Sequence, residues 1–334
     1  MNGLERYLAV LRGRPADFLP RLPILMQYAA EHIGSHYGDF AADHRVMVRA
    51  NQCCAADFGI DQLSTISDPY RETQGYGGEV VYVRDGVPRC PHPPLIDNKD
   101  LDALPRPNPL TAVRMRDRID AVHAYRQNSP VAHSIMGWVE GPAAEGADLR
   151  GVANFLVDLI DDPPFAGELM DICVAVALDF ARAQLDVGAE TIGVGDAIAS
   201  QVSPGLYETL ILPREKRLIA GLKEMGAIVR LHICGDITHL LPGLTELPID
   251  LIDVDHMVDM VAVRRALGEN VVLTGNIDPA ADIRFGDPKT IRQTILDTYA
   301  AVGNPYMVNA GCEIPSGTPV ENLKALCEPV PYTL

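Results

Sequence analysis

The sequence predicts an α/β protein: a single (β/α)8 TIM barrel with an N-terminal helical extension and a hairpin-and-loop excursion. Three observations predict it. Short apolar runs alternate with helical stretches along most of the chain, the pattern of a parallel sheet covered by helices. The runs number eight, the number that closes such a barrel. A length of 334 residues, 47% of them hydrophobic, suits one large domain spanning residues 1–334.

Residues 1–18 read as a helix, with Leu4, Tyr7, Leu8 and Leu11 on one side and Gly13 and Pro15 at its end. A first strand is expected over 19–28, ending Ile24-Leu25-Met26-Gln27-Tyr28. Helical sequence follows to about Cys54, then a weaker second strand over 58–65. Residues 70–110 hold Gly75, Gly77 and Gly78, an alternating run at 79–83 and a proline-rich tail. They carry too little apolar sequence for a core of their own and read as a hairpin excursion within the domain. Strands are expected at 131–140, 191–196, 227–232, 251–256, 271–276 and 305–312, with helices near 151–160, 164–187 and 205–225.

The net charge of −17 argues against nucleic acid, because neutralising phosphates needs a basic surface. No run approaches the length of a membrane span, and the start Met1-Asn2-Gly3-Leu4-Glu5-Arg6 has no signal-peptide pattern. The seven cysteines (53, 54, 90, 173, 234, 312 and 327) are odd in number and scattered. A reduced, cytoplasmic setting is expected, with metal or catalytic roles ahead of disulfides.

Several expected strands finish in a polar residue: Tyr28, Glu140, Asp196, Cys234, Asp255, Asn276 and Cys312. Active sites of such barrels sit at that rim. In Leu231-His232-Ile233-Cys234-Gly235-Asp236, alternation puts His232 and Cys234 on one face at a strand's end, half of a tetrahedral zinc site. Cys312 is the best candidate to complete it. Taken singly, each reads as readily as a core histidine or a small buried cysteine. Asp196 and Glu140 are candidate catalytic acids; Glu140, with Glu145, could orient a substrate or accept a proton, or be a solvated loop acid. Gln27, Tyr28 and Asn276 are candidate substrate-binding groups. Trp138, the only tryptophan, reads as core, as do Cys53 and Cys54.

The Leu-His-Ile-Cys-Gly-Asp segment, Leu273-Thr274-Gly275-Asn276-Ile277-Asp278-Pro279 and Gly311-Cys312-Glu313-Ile314-Pro315 together resemble the uroporphyrinogen decarboxylase superfamily. His232-x-Cys234 with Cys312 resembles its zinc-dependent cobalamin methyltransferase branch. The decarboxylases carry a Met-Arg-Gln-Ala-Gly-Arg-Tyr segment after the first strand. Here Leu25-Met26-Gln27-Tyr28-Ala29-Ala30-Glu31 lacks both arginines, which hold a porphyrinogen's carboxylates.

The resemblance implies a zinc ion on His232, Cys234 and Cys312 that holds an acceptor thiol as its thiolate, and a methyl group carried as methylcobalamin on a separate corrinoid protein. The chain has no Asp-x-His-x-x-Gly of its own to ligate a corrinoid. Relatives also imply a carboxylate as fourth ligand. Asp255 is the candidate; capping the next helix or bonding a ligand's ring nitrogen is the plainer role. The acceptor is a thiol such as coenzyme M or a homocysteine-like compound, or a reduced folate, and a homodimer is a further implication. Three other readings stand beside it: a decarboxylase, a zinc-dependent thiol transferase opening an epoxide, and a non-catalytic subunit that binds a corrinoid protein.

Overall fold

The computed structural model describes residues 1–129 and 133–333. Seven parallel strands follow one another in chain order: β1 (Gln62–Ser64), β2 (Ser134–Glu140), β3 (Thr191–Gly195), β4 (Ile228–His232), β5 (Leu251–Val254), β6 (Val272–Gly275) and β7 (Tyr306–Met307). All but the ends of β1 and β4 are buried, as parallel strands covered by helices must be. The register runs straight across: Gly195 opposes His232, His232 opposes Asp253, and Asp253 opposes Thr274. Residues 131 and 132, the start of the expected strand at 131–140, lie outside the described residues.

The eighth position is filled without a regular strand. Leu22 N–H donates to Val308 O and Val308 N–H to Pro20 O, each at 2.8 Å. On the other side Asp61 N–H donates to Arg21 O at 3.0 Å. Residues 20–22 therefore join β7 to the start of β1. Pro20 and Pro23 bring no N–H, so no ladder propagates. The expected strand to Tyr28 is corrected here: the chain turns at Met26 and Gln27–His32 is a helix.

Helices cover the outer face of the sheet. Long ones, Val113–Asn128, Pro163–Asp186, Leu212–Glu224 and Pro288–Val302, fall between successive strands. The amino-terminal helix Gly3–Leu11 starts in a capping box formed by Asn2 and Glu5 and buries Tyr7 and Val10 against Leu22, Leu251, Val272 and Met307. The excursion at 70–110 contains a short helix, Arg71–Gly75, and the expected hairpin reduces to one antiparallel bridge between Val81 and Arg89. No helix among the described residues is long and apolar enough to cross a membrane.

Candidate metal centre

His232 is the last residue of β4, and Cys234 lies just beyond the strand, where Gly235 turns the chain at φ +91°. Cys312 comes from the segment after β7. Gly311 brings it close: a Cβ there would stand 2.7 Å from His256 N. Its N–H donates to Ile277 O at 2.8 Å. His232 Nε2 is then 2.9 Å from Cys234 Sγ and 3.7 Å from Cys312 Sγ, and the two sulfurs are 3.5 Å apart. These three ligand atoms form one group able to hold a metal ion.

Zinc bonds of about 2.3 Å to sulfur and 2.0–2.1 Å to nitrogen give tetrahedral edges of roughly 3.5–3.8 Å. Two of the three edges agree, and the His232–Cys234 contact would open by roughly 0.6 Å to match. Without an ion the three groups share their protons unequally, and only Cys312 is held in its deprotonated, ligating form. Hydrogen bonds from Cys234 and His232 bring Cys312 down to about 4, against burial. The same Cys312 contact, with burial, pushes Cys234 up. Burial opposes charge on His232, yet Cys234 and Asp253 raise it.

The imidazole is oriented from behind. Its Nδ1 is 3.2 Å from Asp253 Oδ2, a residue directly opposite in register on β5. With the Nδ1 proton on that bond, Nε2 presents its lone pair to the sulfurs. Asp253 is buried and fully engaged. It receives Arg230 Nη2 at 2.7 Å and Nε at 2.9 Å, Thr274 Oγ1 at 2.6 Å and Asn309 Nδ2 at 3.0 Å. Burial works against its charge, but Arg230 and His232 outweigh that and hold its carboxyl below the usual range.

The three-ligand group opens into a cleft of about 170 Å³. Ile24, Met26, Ile66 and Trp138 supply its apolar wall, and Asp68, Glu140 and Glu313 its carboxylates. The Trp138 and His232 rings are 6.0 Å apart, and Trp138 Nε1 donates to Glu140 Oε1 at 3.1 Å. Trp138 is thus both core, at 2% exposure, and cavity wall. Burial pushes Glu140 up to about 8, although Arg71 pairs with it. Arg114 grips Asp68 with two bonds, of 2.6 and 2.7 Å, and outweighs burial to hold it low. Glu313, pushed up to about 7 chiefly by burial, accepts Gln27 N–H at 2.9 Å.

Other sequence candidates are placed differently. Asp196 does not line the cleft. Its carboxylate accepts Ala144 N–H at 2.7 Å and Ala143 N–H at 3.4 Å, at the start of helix Pro142–Arg150. The carboxylate expected to be catalytic is thus placed at the start of that helix, where it caps the N–H groups. Tyr28 packs in the core between His32 and Phe58 because Gln27–His32 is helical, not extended. The Gln27 side chain turns to Glu31, and its backbone alone serves the site. Asn276 donates to Val258 O at 2.7 Å and pins that loop. Asp255 stays outside the three-ligand group. Its Oδ2 accepts Gly235 N–H at 2.9 Å and its Oδ1 accepts Met257 N–H at 3.1 Å, so it clamps the loop carrying Cys234. Cys54 is buried and Cys53 partly so.

Sequence reasoning passed over Asp253, Glu313 and the Asp68–Arg114 pair. A signal existed for the first: Arg230 and Asp253 are opposite charges inside otherwise apolar strands. A second possible ligand group, Asp43, His44 and Asp117, lies at the surface, where its acids already hold Arg45 and Arg118.

Comparison with known proteins follows the same lines. The family model for uroporphyrinogen decarboxylase (URO-D) matches residues 2–331. The methylcobamide:CoM methyltransferase MtbA of Methanosarcina mazei is 27% identical over 335 residues, covering 97% of this chain and 96% of that protein. A uroporphyrinogen decarboxylase of Nostoc punctiforme is 28% identical over 275 residues, covering 80% of this chain and 76% of that one. Among solved structures, a methyltransferase from Methanosarcina mazei superposes with a TM-score of 0.89 at 21% identity, over 98% of this chain and 97% of the other, which supports the fold.

Proposed function

The chain belongs to the uroporphyrinogen decarboxylase family, and from that premise we propose that it is a zinc-dependent methyltransferase moving a methyl group between a corrinoid protein and a small thiol. Identity does not separate the two branches, since the methyltransferase and the decarboxylase relatives stand at 27% and 28%. The site does. The observation that carries the reading is the convergence of His232 Nε2, Cys234 Sγ and Cys312 Sγ at one mouth of the sheet. A decarboxylase cavity must hold a polycarboxylate, whereas the acidic side chains lining this one are Asp68, Glu140 and Glu313 with no arginine among the lining residues described.

In this reading His232, Cys234 and Cys312 hold the ion, and Asp255 fixes the turn that carries Cys234. A zinc ion held there would supply Lewis-acid chemistry, favouring the thiolate form of an acceptor thiol. Asp253 keeps the His232 ring in the ligating tautomer, and Arg230 keeps Asp253 ionised. Trp138 and Ile66 give the cleft its apolar wall beside the two cysteines. Overall a carbon–sulfur bond forms as the carbon–cobalt bond breaks, the electron pair stays on cobalt, and the thiol proton leaves to solvent. The test is thiol methylation with free methylcobalamin as donor. The wild-type protein should methylate a small thiol and Cys234→Ser should not; equal rates in the two would refute the reading.

A further inference from the structure

We propose that the outer face of the helix Val152–Asp161 binds the same helix of a second copy of this chain, antiparallel about a two-fold axis. The surface lies outside the metal cleft, and the proposal is independent of the methyl-transfer reading.

A helix on a protein surface ordinarily turns its polar residues outward. This one does the reverse. Its sequence, Val-Ala-Asn-Phe-Leu-Val-Asp-Leu-Ile-Asp, holds Asn154 and Asp158 in the middle, and the protein's own groups take up both. Asn154 donates to Ile96 O at 3.1 Å. Asp158, buried, receives Arg150 Nε at 2.7 Å and pairs with Lys99 Nζ at 2.7 Å. Phe155 and Leu159 join the core. What remains outside is apolar. Val152 is 50% exposed, Val157 54% and Ile160 67%, with Ala153 exposed and Leu156 partly so. At 3.6 residues per turn these five side chains fall in one arc of about 140°. A helix apolar on both faces is one that is covered on both.

The charges at the two ends point to what covers it. At the amino end Gly151 offers no side-chain cap and the first turn holds no acid, so the positive pole of the helix is unopposed. At the carboxyl end stands Asp161, exposed and paired with no cation among the described residues, beside the negative pole. An antiparallel second copy corrects both ends at once. A two-fold axis between Leu156 and Val157 sets Leu156 against Val157 of the second copy and the small Ala153 against its large Ile160. Each Asp161 then sits at the amino end of the other helix. The net charge of −17 repels two copies at long range, but salt screens that beyond about 8 Å, and the five facing residues carry none. A helix of ten residues is about 15 Å long and covers less than the ~800 Å² per partner of a standard interface, so the dimer forms only at micromolar concentrations.

The experiment is sedimentation equilibrium of the full chain at physiological salt, from about 1 to about 200 µM. The wild-type protein should pass from monomer to dimer over that range. Ile160→Asp should weaken the dimer at least about tenfold, and Phe285→Asp, at a residue as exposed elsewhere, should leave it unchanged. Asp161→Lys separates docking from folding. A lysine suits the carboxyl end of its own helix, so resistance to urea should hold or rise while dimerisation falls at least about threefold. A chain that stays monomeric throughout, or a dimer that Ile160→Asp and Asp161→Lys leave intact, would overturn the inference. Equal weakening by Phe285→Asp would overturn it too.

Discussion

The two walls of the cleft are built on opposite principles. Behind the metal group the buried charges are matched: Arg230, Asp253 and His232, with Thr274 and Asn309, form one buried network whose acid is held ionised. On the β1–β2 side, acids outnumber their partners. Glu72 Oε2 and Glu145 Oε2 are buried without a hydrogen bond among the described residues, and Glu140 keeps one oxygen free toward the cleft. A network that binds every oxygen of its acid fixes geometry, which is what a metal ligand needs. Acids buried without enough cations keep their protons instead, as the raised Glu140, Glu145 and Asp148 do. The difference teaches that one wall holds its acid charged to orient a ligand residue, and the other holds its acids neutral.

The largest effect is expected where the matched wall meets the metal. Cys312→Ser should abolish zinc retention and reduce thiol methylation by at least about a thousandfold, measured as metal content and initial rate side by side. Next comes Asp253→Asn. It leaves Arg230 without its counter-ion and frees the His232 ring, so zinc affinity should fall roughly 10–100-fold. Urea unfolding should show a loss of about 3–5 kcal/mol. Wild-type stability from this group should be present above the ordinary carboxylate pKa and lost as acid brings the pH down through its lowered value. Thr274→Val removes only one charged hydrogen bond to Asp253 and should cost about 1.5–3 kcal/mol by the same measurement, with zinc still bound.

The smallest effect, and the sharpest contrast, is Glu140→Gln. Burial lifts Glu140 to about 8, so above the ordinary carboxylate value the folded chain keeps a proton that the unfolded chain has released. Its contribution to stability is therefore full at low pH and declines as pH rises toward 8, opposite in sign to Asp253. The variant should flatten the decline in unfolding free energy between about pH 5 and 8; an unchanged slope would mean that Glu140 is ionised in the folded protein and the two walls are alike.

The metal group was legible because its signals are local. A histidine and a cysteine two apart after an apolar run, stopped by a glycine, and a second cysteine after another such run need only strand order to meet. The rest depends on register and distant partners. Asp253 and Asp255 share a face by alternation, and only the pairing of β4 with β5 puts Asp253 opposite His232. Asp196 ends a strand as expected, but its carboxylate turns to a helix that begins more than fifty residues earlier in the chain. Tyr28 follows an apolar run that reads as a strand, yet Ala29, Ala30 and Glu31 are good helix formers and tertiary context starts the helix at Gln27. The expected hairpin had alternation but no core to hold it, and one bridge remains.

The most direct test of the central claim is zinc-edge X-ray absorption on protein prepared without chelators, before and after adding a small thiol such as 2-mercaptoethanol. Thiol activation at His232, Cys234 and Cys312 predicts one zinc per chain with two sulfur neighbours and a histidine nitrogen, gaining a third sulfur when the thiol is added. A protein without zinc, or a zinc shell that the thiol leaves unchanged, would contradict it.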